Sequence, residues 1–171
     1  MKLFKKLAAA VLVAALALMM VGCGGSKTGL AQQVKNAVSD VAVMTGKQAT
    51  NSKDMDALAA KLLRELNNEI AALDEGEAWP DPDVLLNDEE FLQKVGIDPA
   101  TEAYALSLER NPSYLSNTMN QLKPFELAED LLRRLMHGDL KIGEPKLGSK
   151  FEFGLAIGTL DGENCVLMIA K

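Results

Sequence analysis

The chain is poor in the residues that most often build catalytic or metal centres. It has two cysteines, Cys23 and Cys165, and a single histidine, His137, among 171 residues. A site built on two histidines is therefore excluded, and any histidine-activated nucleophile would have to use His137. The sequence contains no phosphate-binding glycine loop and no G-x-S-x-G nucleophile turn. We predict no catalytic residue, no metal site and no cofactor.

Positive charge is also scarce. The chain has 18 Lys and Arg residues against 24 Asp and Glu residues. The first 22 residues hold three of the lysines and none of the acids, so the remainder has 15 bases, 24 acids and a formal net charge of −9. Nucleic-acid binding depends on Lys and Arg that neutralise phosphates, so we predict no nucleic-acid partner.

Only one long uncharged run occurs, between Leu7 and Val21. Three lysines precede it and Gly22-Cys23 follows it, which is the three-part pattern of a secretory signal peptide. The run is shorter than the roughly 20 residues that a spanning helix needs. We therefore predict a signal peptide at 1–22, a flexible Gly/Ser-containing tether that starts at Cys23 and extends to residue 29, and one globular domain at 30–171.

The end of the leader, Met20-Val21-Gly22-Cys23, resembles the lipobox of bacterial lipoproteins, although leucine is more usual than methionine at the first place. The resemblance implies cleavage before Cys23, at least a diacylglycerol on its thiol, and a membrane partner reached through that lipid. It implies a location in the cell envelope, anchored on the extracytoplasmic side. Cys165 would then have no partner for an internal disulfide.

Apolar residues at helical spacing predict helices at 29–45 and 53–73, followed by shorter helices with readable caps. The shorter ones are predicted at 88–95, 99–110, 112–122 and 124–137. Residues 47–51 are polar and unpatterned, which indicates a connector. Two closely spaced prolines predict an extended loop at 77–86.

The end of the chain carries the clearest strand signal. Two β-rich runs, 151–160 and 163–170, flank Asp161-Gly162, which is typical of a type I′ hairpin turn. That turn pairs Ile157 with Val166 and Gly158 with Cys165, and both faces of the hairpin are then apolar. We expect helices to cover both faces, and a further short strand at 140–142. The predicted fold class is α+β, with mostly short helices packed on a small antiparallel sheet that contains the C-terminal hairpin.

Few side chains suggest a ligand site. Residues 74–83 hold five carboxylates, including Asp81 and Asp83, but they lack the spacing of a calcium-binding EF-hand, and a solvated acidic loop is the favoured interpretation. Trp79 can be an exposed recognition aromatic, or it can fill a gap between this loop and the core. His137 closes a helix, where a cation meets the helix dipole favourably. Cys165 lies in an apolar run, and we predict a small buried residue.

We therefore predict a non-enzymatic module that binds an unknown protein, peptide or small molecule, with Trp79, Asp81, Asp83 and His137 as candidate ligand contacts. An alternative follows from the last 35 residues. The histidine near a helix end and the Phe153–Gly158 strand resemble the tail of CAP domains, the family of cysteine-rich secretory and pathogenesis-related proteins. That resemblance implies a CAP-like or hydrolase module that uses His137, although the paired histidines of the family cannot both be present.

Overall fold

A computed structural model of the chain describes residues 27–73, 81–110, 112 and 123–171. The described part is an α+β fold, as predicted, with five helices and one five-stranded sheet. In chain order the elements are α1 (Lys27–Met44), β1 (Gln48–Asn51), α2 (Lys53–Ala72), α3 (Pro82–Leu85), α4 (Glu89–Val95), β2 (Tyr104–Arg110), α5 (Lys123–His137), β3 (Leu140–Ile142), β4 (Lys150–Leu160) and β5 (Glu163–Ala170). None of these helices is both long enough and apolar enough to cross a membrane.

The strands lie in the order β1-β4-β5-β2-β3, so the last strand of the chain is central. The predicted hairpin register is confirmed, because Ile157 pairs with Val166 and Gly158 pairs with Cys165. Asp161 and Gly162 both have positive φ, 51° and 77°, as a type I′ turn requires. The strands predicted to form a small antiparallel sheet are antiparallel to their neighbours, and the sheet as a whole is mixed because β1, which was predicted as a connector, runs parallel to β4.

Both faces of the sheet are covered by helices, which confirms the prediction drawn from the hairpin. On one face, here called the α2 face, helices α2 and α4 pack over Leu106, Leu167 and Ile169. On the other, the α5 face, helices α1 and α5 pack over Phe153, Val166 and Met168. Successive residues of β5 thus alternate between two separate hydrophobic cores.

The amphipathic helices lie where the sequence places them. Helices α1, α2, α4 and α5 match the predicted segments to within about two residues, the usual uncertainty of helix ends. Helix α1 begins at Lys27, which is inside the segment predicted as the tether. Gly96 ends α4 in the left-handed conformation, with φ of 83°, and its N–H bonds back to the last turn of the helix. The short strand predicted at 140–142 is also present.

Three segments differ from the prediction. The largest error is at 99–110, where the predicted helix is a turn followed by strand β2, because Tyr104–Leu108 is buried on both faces and shows no alternation. Residues 48–51 form an edge strand rather than a connector, held by the backbone ladder to β4. Residues 77–80 of the predicted extended loop 77–86 lie outside the described residues, and within the rest Pro82–Leu85 is a short helix. The predicted helix 112–122 lies, apart from Pro112, outside the described residues.

Candidate functional site

The four predicted ligand contacts do not form one site in the described structure. Asp81 caps α3, because its Oδ1 accepts a hydrogen bond of 3.1 Å from the Asp83 N–H, and both carboxylates are exposed. His137 is the exposed last residue of α5. Within the described residues no hydrogen bond or ion pair joins it to either aspartate. Trp79 lies outside the described residues, as does the predicted lipid site, Cys23.

Cys165 is a buried residue, as predicted. It lies on β5 in the core of the α2 face and is 0% exposed. Burial raises the pKa of its thiol to about 12, and the backbone at Gly158 and the charge of Arg110 only partly oppose this. The thiol therefore stays protonated near neutral pH, and a protonated thiol is a weak nucleophile.

An open groove of about 650 Å³ lies between α4 and the turn that precedes β2. Glu102, an acidic residue that lines this groove, uses its carboxylate for hydrogen bonds within the turn. Glu102 accepts a hydrogen bond of 2.7 Å from the Tyr104 hydroxyl and one of 2.9 Å from the Asp98 N–H. The bond from Tyr104 is the main reason that the pKa of Glu102 is lowered, while burial, and then the bond to Glu102, raises the pKa of Tyr104 to about 12. Both Glu102 oxygens thus hold the turn, and the described residues contain no carboxylate, histidine or cysteine group suited to a metal ion.

A second polar cluster joins the first helices to the sheet. Asp56, in the first turn of α2, accepts hydrogen bonds from Asn51 Nδ2 at 2.8 Å and Leu155 N–H at 2.9 Å on one oxygen. Its other oxygen contacts Lys35 Nζ at 2.6 Å. The carboxylate is 23% exposed and has three donors. This cluster is satisfied internally, so we assign it to stability.

The polar side chains between β2 and α5 differ from the Asp56 cluster, because some of their buried atoms have no hydrogen-bond partner among the described residues. We call Ser107, Glu109 and Arg134 the β2–α5 seam. Ser107 and Glu109 are two residues apart on β2, so both point to the α5 face, where Arg134 meets Glu109. Ser107 is 1% exposed, the only polar residue among the described ones that is buried.

Three atoms of this seam lack hydrogen-bond partners: Ser107 Oγ, Glu109 Oε2 and Arg134 Nε. Arg134 Nη2 does lie 2.9 Å from Glu109 Oε2, which is ion-pair distance. The N–H is not directed at that oxygen, however, so the charges are paired without a hydrogen bond. Among the described residues these are the only buried side-chain nitrogen or oxygen atoms without a hydrogen-bond partner, and they belong to two same-face residues of β2 and to the α5 residue that meets Glu109.

Such atoms are expensive to bury, since an unpaired buried hydrogen-bonding group costs about 1–3 kcal/mol. Their concentration in one seam therefore indicates hydrogen-bonding capacity that the described chain does not use itself. The seam is the best candidate for a binding site.

Sequence reasoning missed the seam. The one available signal was Ser107, a lone serine within the apolar run Tyr104–Leu108. Reading this run as a helix placed Ser107 and Glu109 on different faces, whereas a strand places them on the same face.

No family model, no curated protein and no solved structure matches this chain.

Proposed function

We propose that the chain is the precursor of a membrane-anchored extracytoplasmic lipoprotein, and that its folded domain is a non-enzymatic binding module. The observation that carries the binding role is the β2–α5 seam. Among the described residues, the three buried side-chain atoms that lack hydrogen-bond partners all belong to one strand and the helix that packs on it. A bound ligand would supply those partners.

The leader supports the anchor. A basic start, an apolar run and the lipobox-like Met20–Cys23 sequence precede the domain. Helix α1 begins at Lys27, only four positions after Cys23, so the domain would lie close to the membrane. A single acyl chain binds a bilayer only marginally, whereas two chains hold firmly, so a diacylglycerol on Cys23 would anchor the domain without a basic surface.

The states of the two residues that could act as nucleophile or base support binding rather than catalysis. The Cys165 thiol is buried and has a pKa of about 12. The exposed His137 has no carboxylate partner within the described residues to orient its ring, which a histidine base normally needs.

The anchor is tested by intact-mass and peptide mass spectrometry of the protein purified from native membranes. We expect a mature chain that begins at Cys23 and carries the mass of a diacylglycerol. The Cys23→Ser variant should lack that mass and remain uncleaved or become soluble. Cys165→Ser is the matched control and should keep the lipid. An unmodified mature N-terminus at another residue in the wild type would refute the anchor.

A further inference from the structure

Helix α1 runs in the opposite direction to the neighbouring strands β1 and β4. Toward the end of α1, Ser39 Oγ donates a hydrogen bond of 3.2 Å to the C=O of Ala49 in β1, which is paired with the first residues of β4. One turn earlier, Lys35 Nζ lies 2.6 Å from Asp56 Oδ2, and Asp56 Oδ1 accepts a hydrogen bond from the Leu155 N–H, midway along β4. The start of α1 therefore points to the end of the sheet that carries the β4–β5 turn.

We call that end of the sheet the turn end, and the opposite end, where β4 begins at Lys150, the far end. Helix residues rise 1.5 Å each, so Lys27 lies about 12 Å beyond Lys35. Strand residues rise about 3.3 Å each, so Leu160 lies about 16 Å beyond Leu155, and Lys150 about 16 Å before it. The first residue of α1 is thus nearly level with the turn and about 28 Å from the level of the far end.

The length of chain before α1 limits which end can reach a membrane. Only four peptide units join Lys27 to Cys23, and an extended chain spans at most about 3.6 Å per residue. A lipid on Cys23 is therefore held within about 14 Å of the start of α1. That distance brings the turn end to the bilayer surface, but it is only about half of what the far end would need. An upright domain on this tether meets the membrane with its turn end.

The surface of the turn end carries polar groups of both charges. Asp161 and Asn164 are exposed, and Arg110 and Glu163 form an ion pair of 3.1 Å in which both side chains are nearly half exposed. Among the described residues, none of the large exposed apolar side chains belongs to the turn at 159–164. Zwitterionic headgroups present both charges to such a surface, whereas a domain of net charge −9 would be repelled by anionic headgroups.

A domain that lay on its side would instead touch the bilayer along α1. Helices that lie in a membrane surface are usually rich in Lys and Arg on their polar face. The exposed polar side chains of α1 include Gln33, Asn36 and Asp40, and its Lys35 is already paired with Asp56. The composition of α1 therefore favours the upright arrangement.

We propose that the domain stands on the bilayer with its turn end down, so that the β4–β5 turn and the Arg110–Glu163 pair contact zwitterionic lipid headgroups. This inference rests on the lipid anchor proposed above, and not on the binding role of the β2–α5 seam. It does place that seam near the membrane. Glu109 pairs with Val166, and Val166 pairs with Ile157, three residues before the end of β4. The seam therefore lies about 10 Å from the turn end, and its ligand would be met close to the headgroups.

The test places a fluorescent label on single cysteines of the mature, lipidated protein in phosphatidylcholine vesicles, with and without a headgroup nitroxide that quenches nearby fluorophores. The sites are Asn164→Cys at the turn end, Ser149→Cys at the far end and Met44→Cys at the end of α1, and all three replaced side chains are exposed. The native Cys165 is buried and its thiol stays protonated, so it should not take the label.

We expect the label at the Asn164 site to lose most of its fluorescence to the nitroxide, because the turn end lies at the headgroups. The labels at the Ser149 and Met44 sites should keep nearly all of theirs. The matched control is the Asn164→Cys chain that also carries Cys23→Ser. Without the lipid it should lose no fluorescence in the same vesicles.

Three patterns would overturn the orientation. Quenching at the Ser149 site as strong as at Asn164 would contradict an upright domain with its turn end down, and equal quenching at the Met44 site would mean that the domain lies along α1. Absence of quenching at all three sites would mean that no part of this surface rests on the headgroups. The intact mass of each sample is measured separately. A chain that carries the lipid but gives one of these patterns refutes the orientation alone, whereas a chain without the lipid refutes the anchor and the orientation with it.

Discussion

Helices α2 and α5 pack on opposite faces of the same sheet, and their polar contacts with it differ. On the α2 face, the first turn of α2 lies directly on β4: a Cβ built on Gly154 would come within 2.0 Å of the Met55 carbonyl carbon. The adjacent Asp56 carboxylate has three donors. On the α5 face, Arg134 of α5 meets Glu109 of β2 at 2.9 Å without a hydrogen bond, and the buried hydroxyl of Ser107, two residues before Glu109, has no hydrogen-bond partner among the described residues.

The difference separates a contact that is complete from one that is not. At the α2–β4 contact every polar group of the Asp56 cluster has a partner, and the backbones touch, so little could be added without displacing something. At the β2–α5 seam, three buried donor or acceptor atoms have no hydrogen-bond partner among the described residues, and a ligand could still add those bonds. Sites that break local packing rules are often functional ones, which is why we assign binding to the seam and stability to the α2–β4 contact.

The largest change removes the strand that both helices share. Truncation after Leu160 deletes β5, whose Leu167 and Met168 face the two different cores. Burial of each large apolar side chain stabilises the fold by about 1.5–3 kcal/mol. The loss of four of them, Val166, Leu167, Met168 and Ile169, is therefore comparable to a typical total stability of about 5–15 kcal/mol. We expect loss of the cooperative thermal transition in circular dichroism. A truncated chain that still melts cooperatively would show that the hairpin is an appendage.

The second largest effect should come from adding a side chain at Gly154, where α2 packs directly on β4. Gly154→Ala places a methyl group within 2.4 Å of backbone atoms of Met55 and Asp56, which cannot move aside as a flexible side chain could. We expect destabilisation of about 3 kcal/mol or more, measured by urea unfolding. Gly148→Ala is the control, because its new methyl would lie no closer than 3.7 Å to any atom. Equal stability of the two variants would mean that α2 does not press on β4.

The C-terminal hairpin and helix α5 are parts of the fold that the sequence reveals well. The hairpin was readable because Asp161-Gly162 needs positive φ and the flanking runs are β-rich, which fixes the register locally. Helix α5 was readable because Leu127, Leu131 and Leu135 repeat on one face, opposite charged residues. In both cases neighbouring residues in the chain carry the whole signal.

The parts that failed depend on distant residues. Strand β1 exists because Gln48–Asn51 pairs with β4, about one hundred positions later, and its own side chains show no pattern. Strand β2 is central and apolar on both faces, so alternation is hidden, and its leucines and alanine favour helix locally. The candidate site could not be predicted for the same reason: Glu109 and Arg134 meet, on the face that Ser107 shares, only once β2 is a strand under α5.

A smaller effect should come from the Asp56 cluster. Asp56→Ala leaves the Leu155 N–H and the partly buried Lys35 ammonium without an acceptor. We expect destabilisation of about 2 kcal/mol. Asp54→Ala is the matched control, an exposed acid in the same first turn with no hydrogen bond to any described side chain, and should cost about 0.5 kcal/mol through the helix dipole. Equal losses, measured in the same urea titration, would reduce the role of Asp56 to its charge.

The smallest change in stability gives the sharpest comparison, because it reverses sign. Ser107→Ala removes a buried hydroxyl that has no hydrogen-bond partner among the described residues, so we expect unchanged stability or a gain of up to about 1 kcal/mol. Ser39→Ala is the same substitution at a hydroxyl that lies 3.2 Å from the Ala49 C=O and 3.3 Å from the Lys35 C=O, and it should cost about 1 kcal/mol. Urea unfolding of both variants measures the difference. A loss at Ser107 as large as that at Ser39 would mean that the Ser107 hydroxyl already has a partner in solution. The seam would then be as complete as the α2–β4 contact, and its unused hydrogen-bonding capacity would no longer support a binding site.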